Sequence, residues 1–482
     1  MHVAIVGAGY SGLATATTML SFGHSVVIFE SSPDVGGVWS STNHYPGLRA
    51  QNTKDTYCFS TLPMPKEYPL HPDGQQIQAY LELYVKRNKL DQEGRLRLNT
   101  RVVKAEKRDD GWILEVRSND HQSQLLSFDY LICAAGVFNQ PKIPKFNGVD
   151  TFISSGGVIV HTSGLHRLVD LKNKDVVIVG FGKSACDVAV GATSTSKSVI
   201  IVARDVIWKL PTYVGGVVHY SYLLLTRFGE ALFPYIRPWS SQRFLNYGYG
   251  RPIRAFILGL VSLVIIVQLK LVKLGLLPNK PFETIARSSV SLATPGFVDA
   301  VEDNELRVER GVTVESLGDR KVVLSNGKVL DADVLVCGTG WNHGIPCFLP
   351  QYHRDKNPQR IGSSIFCPLT AEISSLWLAA HLDNLPGLIR EVPSKNQQQA
   401  QAEEEVQWMR KRTDGHHANG TSIVPFSLSN IDEMLRDLDC GIGWFDWLRE
   451  WVLPVNPGSY SHILPTVIRR RDKLRAEQKK GD

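Results

Sequence analysis

Residues 3–13, VAIVGAGYSGL, and residues 176–189, VVIVGFGKSACDVA, are two copies of one device. In each, an apolar run ends in a glycine cluster that opens onto a helix-forming stretch: Gly7, Gly9 and Gly12 in the first, Gly180, Gly182 and Ser184 in the second. A second apolar run follows each, SVVIFE ending at Glu30 and SVIIVAR ending at Arg204, 23 and 24 positions after the first glycine. That distance fits one strand–helix–strand unit. A buried strand, a tight glycine turn and a helix whose free N–H groups and positive dipole end point outward make a seat for a pyrophosphate. Gly9 and Gly182 let the backbone approach that anion, where a Cβ would collide with it. In the second copy Ser184 and Ala185 stand where a third glycine would be.

The residue that ends each unit separates the ligands. A carboxylate such as Glu30 accepts hydrogen bonds from ribose hydroxyls and repels a 2′-phosphate, whereas the guanidinium of Arg204 pairs with that phosphate. The first seat is therefore expected to hold FAD or NAD and the second NADPH, with Lys183 and Lys209 as further cations. The plainer reading of Arg204 is a solvated cation at a strand end.

Composition agrees with a large enzyme. A chain of 482 residues, 43% hydrophobic, can bury two or three cores. Its net charge of +6 is modest, and no basic stripe interleaved with aromatics points to nucleic acid. Seven cysteines, scattered and never paired as CxxC, fit reduced thiols in the cytoplasm and argue against a dithiol reductase. The chain enters its first strand at His2 with no visible signal peptide, so the sequon at Asn419 is expected to be unused. No metal-ligand cluster is evident.

The fold class expected is α/β, with two dinucleotide-binding Rossmann-like domains, the second inserted into a discontinuous first. Residues 1–150 form the first part of the first domain. Within them, RVVKAEKRDD and GWILEVRS form a hairpin before the strand FDYLICAAG. Residues 151–330 hold the second unit, with an apolar helical insertion at about 213–300. The strand DADVLVCGTGW, Asp331 to Trp341, is expected to return the chain to the first domain, and 331–482 to complete it with a C-terminal helical region. Gln397 to Arg412 reads as a surface helix.

One stretch breaks the soluble pattern. Ala255 to Leu269 carries no charge and is flanked by Arg251, Arg254, Lys270 and Lys273. Fifteen residues fall short of the roughly 20 a spanning helix needs, although 255–277 could extend it if the lysines snorkel. Three placements compete: a buried or tunnel-lining helix, a peripheral helix on a membrane surface, and a span.

The order of GAGYSGL, an acidic strand end, GGVW at Gly36 to Trp39, a second glycine unit with Ser184, Ala185 and Asp187, and a late CGTGW resembles the flavin-containing monooxygenase family and its Baeyer–Villiger and N-hydroxylating relatives. The resemblance covers nearly all of residues 1–390. It implies FAD at the first seat and NADPH at the second. Gly37 would then let the chain pass close to the flavin and Trp39 lie against its rings. Gly136 in LICAAGVFNQP, and Gly338, Thr339 and Gly340 in the late strand, fall where strand ends meet a dinucleotide or a domain linker. The plain reading of GGVW is a surface turn with a buried tryptophan.

The resemblance also points to HYPGLRAQNTKDTYCFSTLPMP, from His44, as the reaction segment. Leu48, Arg49, Lys54, Asp55, Cys58 and Phe59 fall on residue types similar to the family's. Where flavin-containing monooxygenases have asparagine and many Baeyer–Villiger enzymes aspartate, this chain has Gln51, with Asn52 next. Gln51, Asn52 and Arg49 are thus the catalytic candidates, a turn-forming polar pair being the plain alternative for the first two. A second departure lies in the fingerprint Phe-x-Gly-x-x-x-His: Gly157 and His161 keep the spacing, but Ser155 replaces the phenylalanine and Phe152 lies three places earlier. His219, His381, His416 and His417 read as structural or solvated.

The activity implied is insertion of one atom of O2 into a small lipophilic substrate through a flavin C4a-(hydro)peroxide, with specialised-metabolite biosynthesis as the expected setting. Heteroatom oxidation, Baeyer–Villiger insertion and epoxidation stay open. So do a flavoprotein reductase or oxidase without oxygen insertion, and a membrane-associated nucleotide-binding protein that is not an enzyme.

Overall fold

The computed structural model describes residues 1–119, 122–286, 291–342, 346–349, 366–390, 394–412 and 427–481. The sequon at Asn419, His416 and His417 lie outside them. Strands β1 (His2–Val6), β2 (Ser25–Phe29), β3 (Leu96–Arg97) and β7 (Tyr130–Cys133) form a parallel sheet in the order β3-β2-β1-β7. Between β3 and β7, β4 (Thr100–Arg108), β5 (Gly111–Ser118) and β6 (Ser123–Phe128) make an antiparallel meander, the expected hairpin plus one strand. Strand β1 is buried on both faces. Val3 and Ile5 face the helix Tyr10–Ser21, while Ala4 and Val6 pack on Leu114, Val116 and Phe128 of the meander.

The second unit repeats this layering. Strands β8 (Val158–His161), β9 (Asp175–Val179), β10 (Ser198–Ala203), β13 (Leu306–Arg310) and β17 (Val334–Cys337) form a parallel sheet in the order β13-β10-β9-β17-β8. Its other face is covered by an antiparallel sheet of β14 (Val314–Gly318), β15 (Lys321–Leu324) and β16 (Val329–Asp331). Here Val176 and Ile178 join the main core, and Val177 meets Val322, Leu324 and Leu330. The duplication seen as two glycine loops therefore extends to whole three-layer domains.

One expectation needs correction. The strand Val334–Cys337 does not leave the second domain; it is central in that sheet, paired in parallel with β9 and β8, with Val336 opposite Ile178 and Val160. Four fully buried residues, VLVC, make it a two-sided core strand. The return to the first domain is made later by the helix Cys367–Asp383, which packs on Tyr10–Ser21 and joins it through Ser375 Oγ to Thr15 Oγ1 at 2.8 Å. The last helix, Ile463–Gly481, adds a hydrogen bond from Arg471 to the Phe22 carbonyl at 3.1 Å.

The insertion lies between β10 and β13. It contains a short hairpin of β11 (Tyr213–Val214) and β12 (Val218–His219) and several helices, the longest Arg251–Gln268. That helix is not buried: only Leu258 and Ile265 along it are, so the buried or tunnel-lining placement fails. Nor does it run on through KLVKLGLL, because Lys270 takes a left-handed φ of 50°. Arg227, buried, ties the insertion to the C-terminal region through Asp432 and through Glu450 at 3.0 Å. Lys395–Arg412 is a mostly exposed helix, as expected.

Candidate functional site

The two glycine loops are shaped by the same contact. Gly7 and Gly180 adopt φ of 108° and 117°, and a Cβ on either would be driven into a strand-end carbonyl, that of Ala134 in the first domain and of Gly338 in the second. The middle glycines differ in kind. A Cβ on Gly9 would find no protein atom nearer than 3.6 Å, and one on Gly182 none within 4 Å. Both have ordinary negative φ. Nothing in the protein requires glycine at these two helix starts; a ligand drawn up against the N–H groups does. The residues present thus fit a pyrophosphate at each seat.

Glu30, at the end of β2, is buried, and its carboxylate accepts from the N–H groups of Ala8 and Ser32, each at 2.8 Å. It fixes the loop around Gly9 and keeps lone pairs for ribose hydroxyls. Gly37 presses on the same loop, where a Cβ would come within 3.3 Å of the Gly9 Cα. Trp39 is buried and its indole N–H donates to the Tyr57 hydroxyl at 3.2 Å. Gly136 lies in open space at φ 73°.

A cleft of about 1430 Å³ joins the two domains. Trp39, Arg49, Gln51 and Asn52 line it from one side, and Gly180, Gly182, Ser184 and Arg204 from the other, with Gly338, Thr339 and Gly340 between. Gly7, Gly9, Gly12, Glu30, Gly37 and Gly136 lie outside its lining. Arg204 is exposed beside Asp205 at 3.2 Å, free enough to receive an anion. Of the other two cations, Lys183 lines the cleft beside Gly182 and is ion-paired with Asp187. Lys209 is buried away from the cleft, bonded to Ser291 Oγ at 2.9 Å, and burial lowers its pKa.

Gln51 is held by the insertion. Its side-chain oxygen accepts from the Leu292 N–H at 3.0 Å and its carbonyl from the Tyr220 hydroxyl. The amide NH2 makes no hydrogen bond among the described residues. Asn52 is buried beside it. Arg49 is exposed and donates to the His71 carbonyl at 3.3 Å.

Asp187, His219 and, unforeseen in sequence, His71 tie the walls of this cleft together. Asp187 gathers Lys183, the Tyr45 hydroxyl at 3.3 Å and Thr294 Oγ1 at 2.6 Å, so the segment from His44, the helix Lys183–Thr193 and the insertion meet on one carboxylate. His71 and His219 face each other, Nε2 to Nε2 at 3.3 Å, across the same joint. Asp187 belongs to the second glycine motif, but its partners were not legible there; the histidine pair has no signal in sequence, because 148 positions separate its members. His161 donates from Nε2 to the Gly340 carbonyl at 3.0 Å, and burial lowers its pKa. Before it, the Phe152 ring packs on Gly157, where a Cβ would come within 2.5 Å of the ring.

This duplicated nucleotide-binding architecture around one cleft defines a two-dinucleotide fold, and comparison with known proteins agrees. The chain belongs to the FMO-like family, flavin-binding monooxygenase-like, whose model matches residues 1–249. It is 30% identical over 244 residues to flavin-containing monooxygenase 3 of Macaca mulatta, covering 48% of this chain and 45% of that protein. The chain thus spans about half the length of such animal relatives. Over 504 residues it is 25% identical to a probable flavin-containing monooxygenase 1 of Arabidopsis thaliana, covering 91% of each. Its fold matches the structure of OTEMO in complex with FAD and NADP at a TM-score of 0.67 and 16% identity, over 90% of this chain and 98% of that one.

Proposed function

We propose that this chain is an FAD- and NADPH-dependent monooxygenase acting on a small lipophilic substrate. The observation that carries the reading is the single cleft on which Trp39, Gln51 and Asn52 face Gly180, Gly182, Ser184 and Arg204. The loop of Gly7, Gly9 and Gly12, with Glu30, would hold the FAD pyrophosphate and ribose. Gly182, Ser184 and Arg204 would hold NADPH, the guanidinium taking the 2′-phosphate. Bound FAD, reduced by NADPH, supplies the activation of dioxygen, one atom going to substrate and the other to water.

The chain's own residues bind, orient and exclude water. Tyr57 fixes the Trp39 indole. Tyr220 and Leu292 fix Gln51, which as a neutral amide offers its NH2 as a donor in the cleft. Such a donor favours oxygen transfer to a soft nucleophile over Baeyer–Villiger insertion. Leu224, Leu225, Ile285 and Leu292 give the cleft an apolar wall suited to a lipophilic molecule. All seven cysteines are free thiols, which supports a cytoplasmic setting. A role in specialised-metabolite tailoring fits this chemistry.

The test is product mass analysis under ¹⁸O2 with a panel of amines, sulfides, ketones and alkenes, with NADPH consumption followed in parallel. One labelled oxygen per product and one NADPH per turnover are expected. NADPH consumption with no label in any product would make the protein a reductase or oxidase.

A further inference from the structure

Asp187 lies on the helix Lys183–Thr193, one turn after the residue that opens it, and is 5% exposed. A buried carboxylate is costly unless it is paired and hydrogen-bonded, and this one is satisfied from three segments. Its Oδ1 takes the ammonium of Lys183 and the Thr294 hydroxyl, and its Oδ2 takes the Tyr45 hydroxyl at 3.3 Å. Lys183 is its one cation within ion-pair distance among the described residues. Burial and the adjacent carboxylate raise the Tyr45 pKa, so that hydroxyl stays protonated and donates. Beside it, the Asp187 Cβ lies 3.7 Å from where a Cβ on Gly47 would stand, and His166 Nδ1 donates to the His44 carbonyl at 3.0 Å. Residues 44–47 are thus clasped to the second domain at two points.

The clasp sits between the two halves of the cleft. Tyr45, Arg49 and Gln51 line it on one side, Gly182 and Lys183 on the other. The helix that carries Asp187 starts at Gly182, where N–H groups make the second pyrophosphate seat, and the chain that carries Tyr45 reaches Gln51 six residues later. A helix is stiff, so where Asp187 is held decides where its first turn places a bound nucleotide. Passage of a hydride from nicotinamide to flavin, which oxidises NADPH and reduces FAD by two electrons, depends steeply on their separation; a misplacement of about 1 Å can cost about a hundredfold. Lys183 cannot leave for a phosphate without stranding a buried carboxylate. Its charge therefore acts through Asp187.

We propose that Tyr45 and Asp187 are positioning residues for hydride transfer, holding the second nucleotide seat at a fixed distance from the segment of Arg49 and Gln51, with Lys183 as the counter-ion of Asp187 and not a ligand of the nucleotide. The proposal rests on the assignment of FAD and NADPH to the two seats. It is tested on the flavin-loaded protein by anaerobic stopped-flow reduction with NADPH, beside equilibrium titration with NADP⁺. In Tyr45→Phe, which removes one hydroxyl, the reduction rate constant should fall at least about tenfold while Kd for NADP⁺ stays within about threefold. Asp187→Asn should do the same; should it fail to load flavin, Tyr45→Phe decides. Lys183→Gln should slow reduction by NADPH and by NADH by the same factor. Without nucleotide, amide hydrogen exchange in 44–48 and 183–189 should quicken at least about threefold in Tyr45→Phe. An unchanged reduction rate or unchanged exchange in Tyr45→Phe overturns the proposal, as does a loss of rate matched by an equal loss of NADP⁺ affinity. A Lys183→Gln variant weakened toward NADPH alone returns that lysine to the phosphates and overturns its part. A wild-type flavin that NADPH does not reduce overturns the cofactor assignment, and the proposal falls with it.

Discussion

Ala185 and Gly338 carry, in the second nucleotide domain, the reverse of the arrangement that Gly12 and Ala134 carry in the first. In the first domain the helix supplies glycine and the strand end alanine; in the second the helix supplies alanine and the strand end glycine. A Cβ on Gly338 would stand 2.6 Å from the Ala185 Cβ. The alanine at the third-glycine position of the second loop is thus accommodated by glycine across the contact, whereas Gly12 of the first loop is required by the Gly7 carbonyl, into which a Cβ would be driven.

Gly338→Ala should accordingly destabilise by about 1–3 kcal/mol through overpacking. Ala185→Gly in the same chain should recover most of that loss. Urea unfolding of the four members of the cycle measures the coupling, and simple additivity would show that the two residues do not share the space.

The glycines of the second loop should separate structure from ligand binding. Gly182→Ala meets open space and an ordinary φ of −71°, so its melting temperature should stay within about 2 °C of wild type. Its KM for NADPH should rise at least about tenfold, as the new methyl occupies the pyrophosphate seat. Gly180→Ala, forced into a φ of 117° against the Gly338 carbonyl, should instead lose stability with or without cofactor.

Arg204→Ala should raise KM for NADPH by about 10- to 100-fold, the worth of a charge-assisted pair to a phosphate, while KM for NADH changes little. Steady-state kinetics with the two cofactors gives the comparison. An equal loss with both would remove Arg204 from the 2′-phosphate site.

The histidine joint predicts an acid-sensitive contact between the loop before Asp73, where His71 reaches the Ala50 carbonyl, and the insertion. His71 Nδ1 contacts the Ala50 carbonyl at 3.2 Å and must donate, so His71 Nε2 accepts from His219. His219 Nδ1 then accepts from Ser221, through N–H and hydroxyl. Burial lowers both pKa values, and the partner ring lowers that of His219 further. Because both are depressed below the unfolded value of about 6.5, the neutral pair stabilises the fold fully above that pH and less as pH falls through the native values. Wild type should lose more unfolding free energy between about pH 7.5 and 5.5 than His219→Gln does. Equal pH slopes would mean that the pair does not titrate with folding.

The duplicated loops, the strand ends at Glu30 and Arg204, and the α/β class were all legible in sequence, because strand, turn and helix of each unit are contiguous and the glycine turn between them is a local steric demand. The partners of Gln51 were not legible. Leu292 and Tyr220 reach it from 241 and 169 positions away, and such encounters follow from how layers stack. The same holds for Asp187 as a junction, for Val334–Cys337 as a strand of the second sheet, and for Lys209, which reads as an available cation until the fold buries it against Ser291. Hydrophobic pattern established that Ala255–Leu269 is an apolar helix, but an apolar helix is equally suited to a core, a bilayer or an interface. Which side of it meets solvent depended on the neighbours that cover Leu258 and Ile265 and leave Phe256 and Leu260 bare, and only the tertiary structure brings those neighbours together.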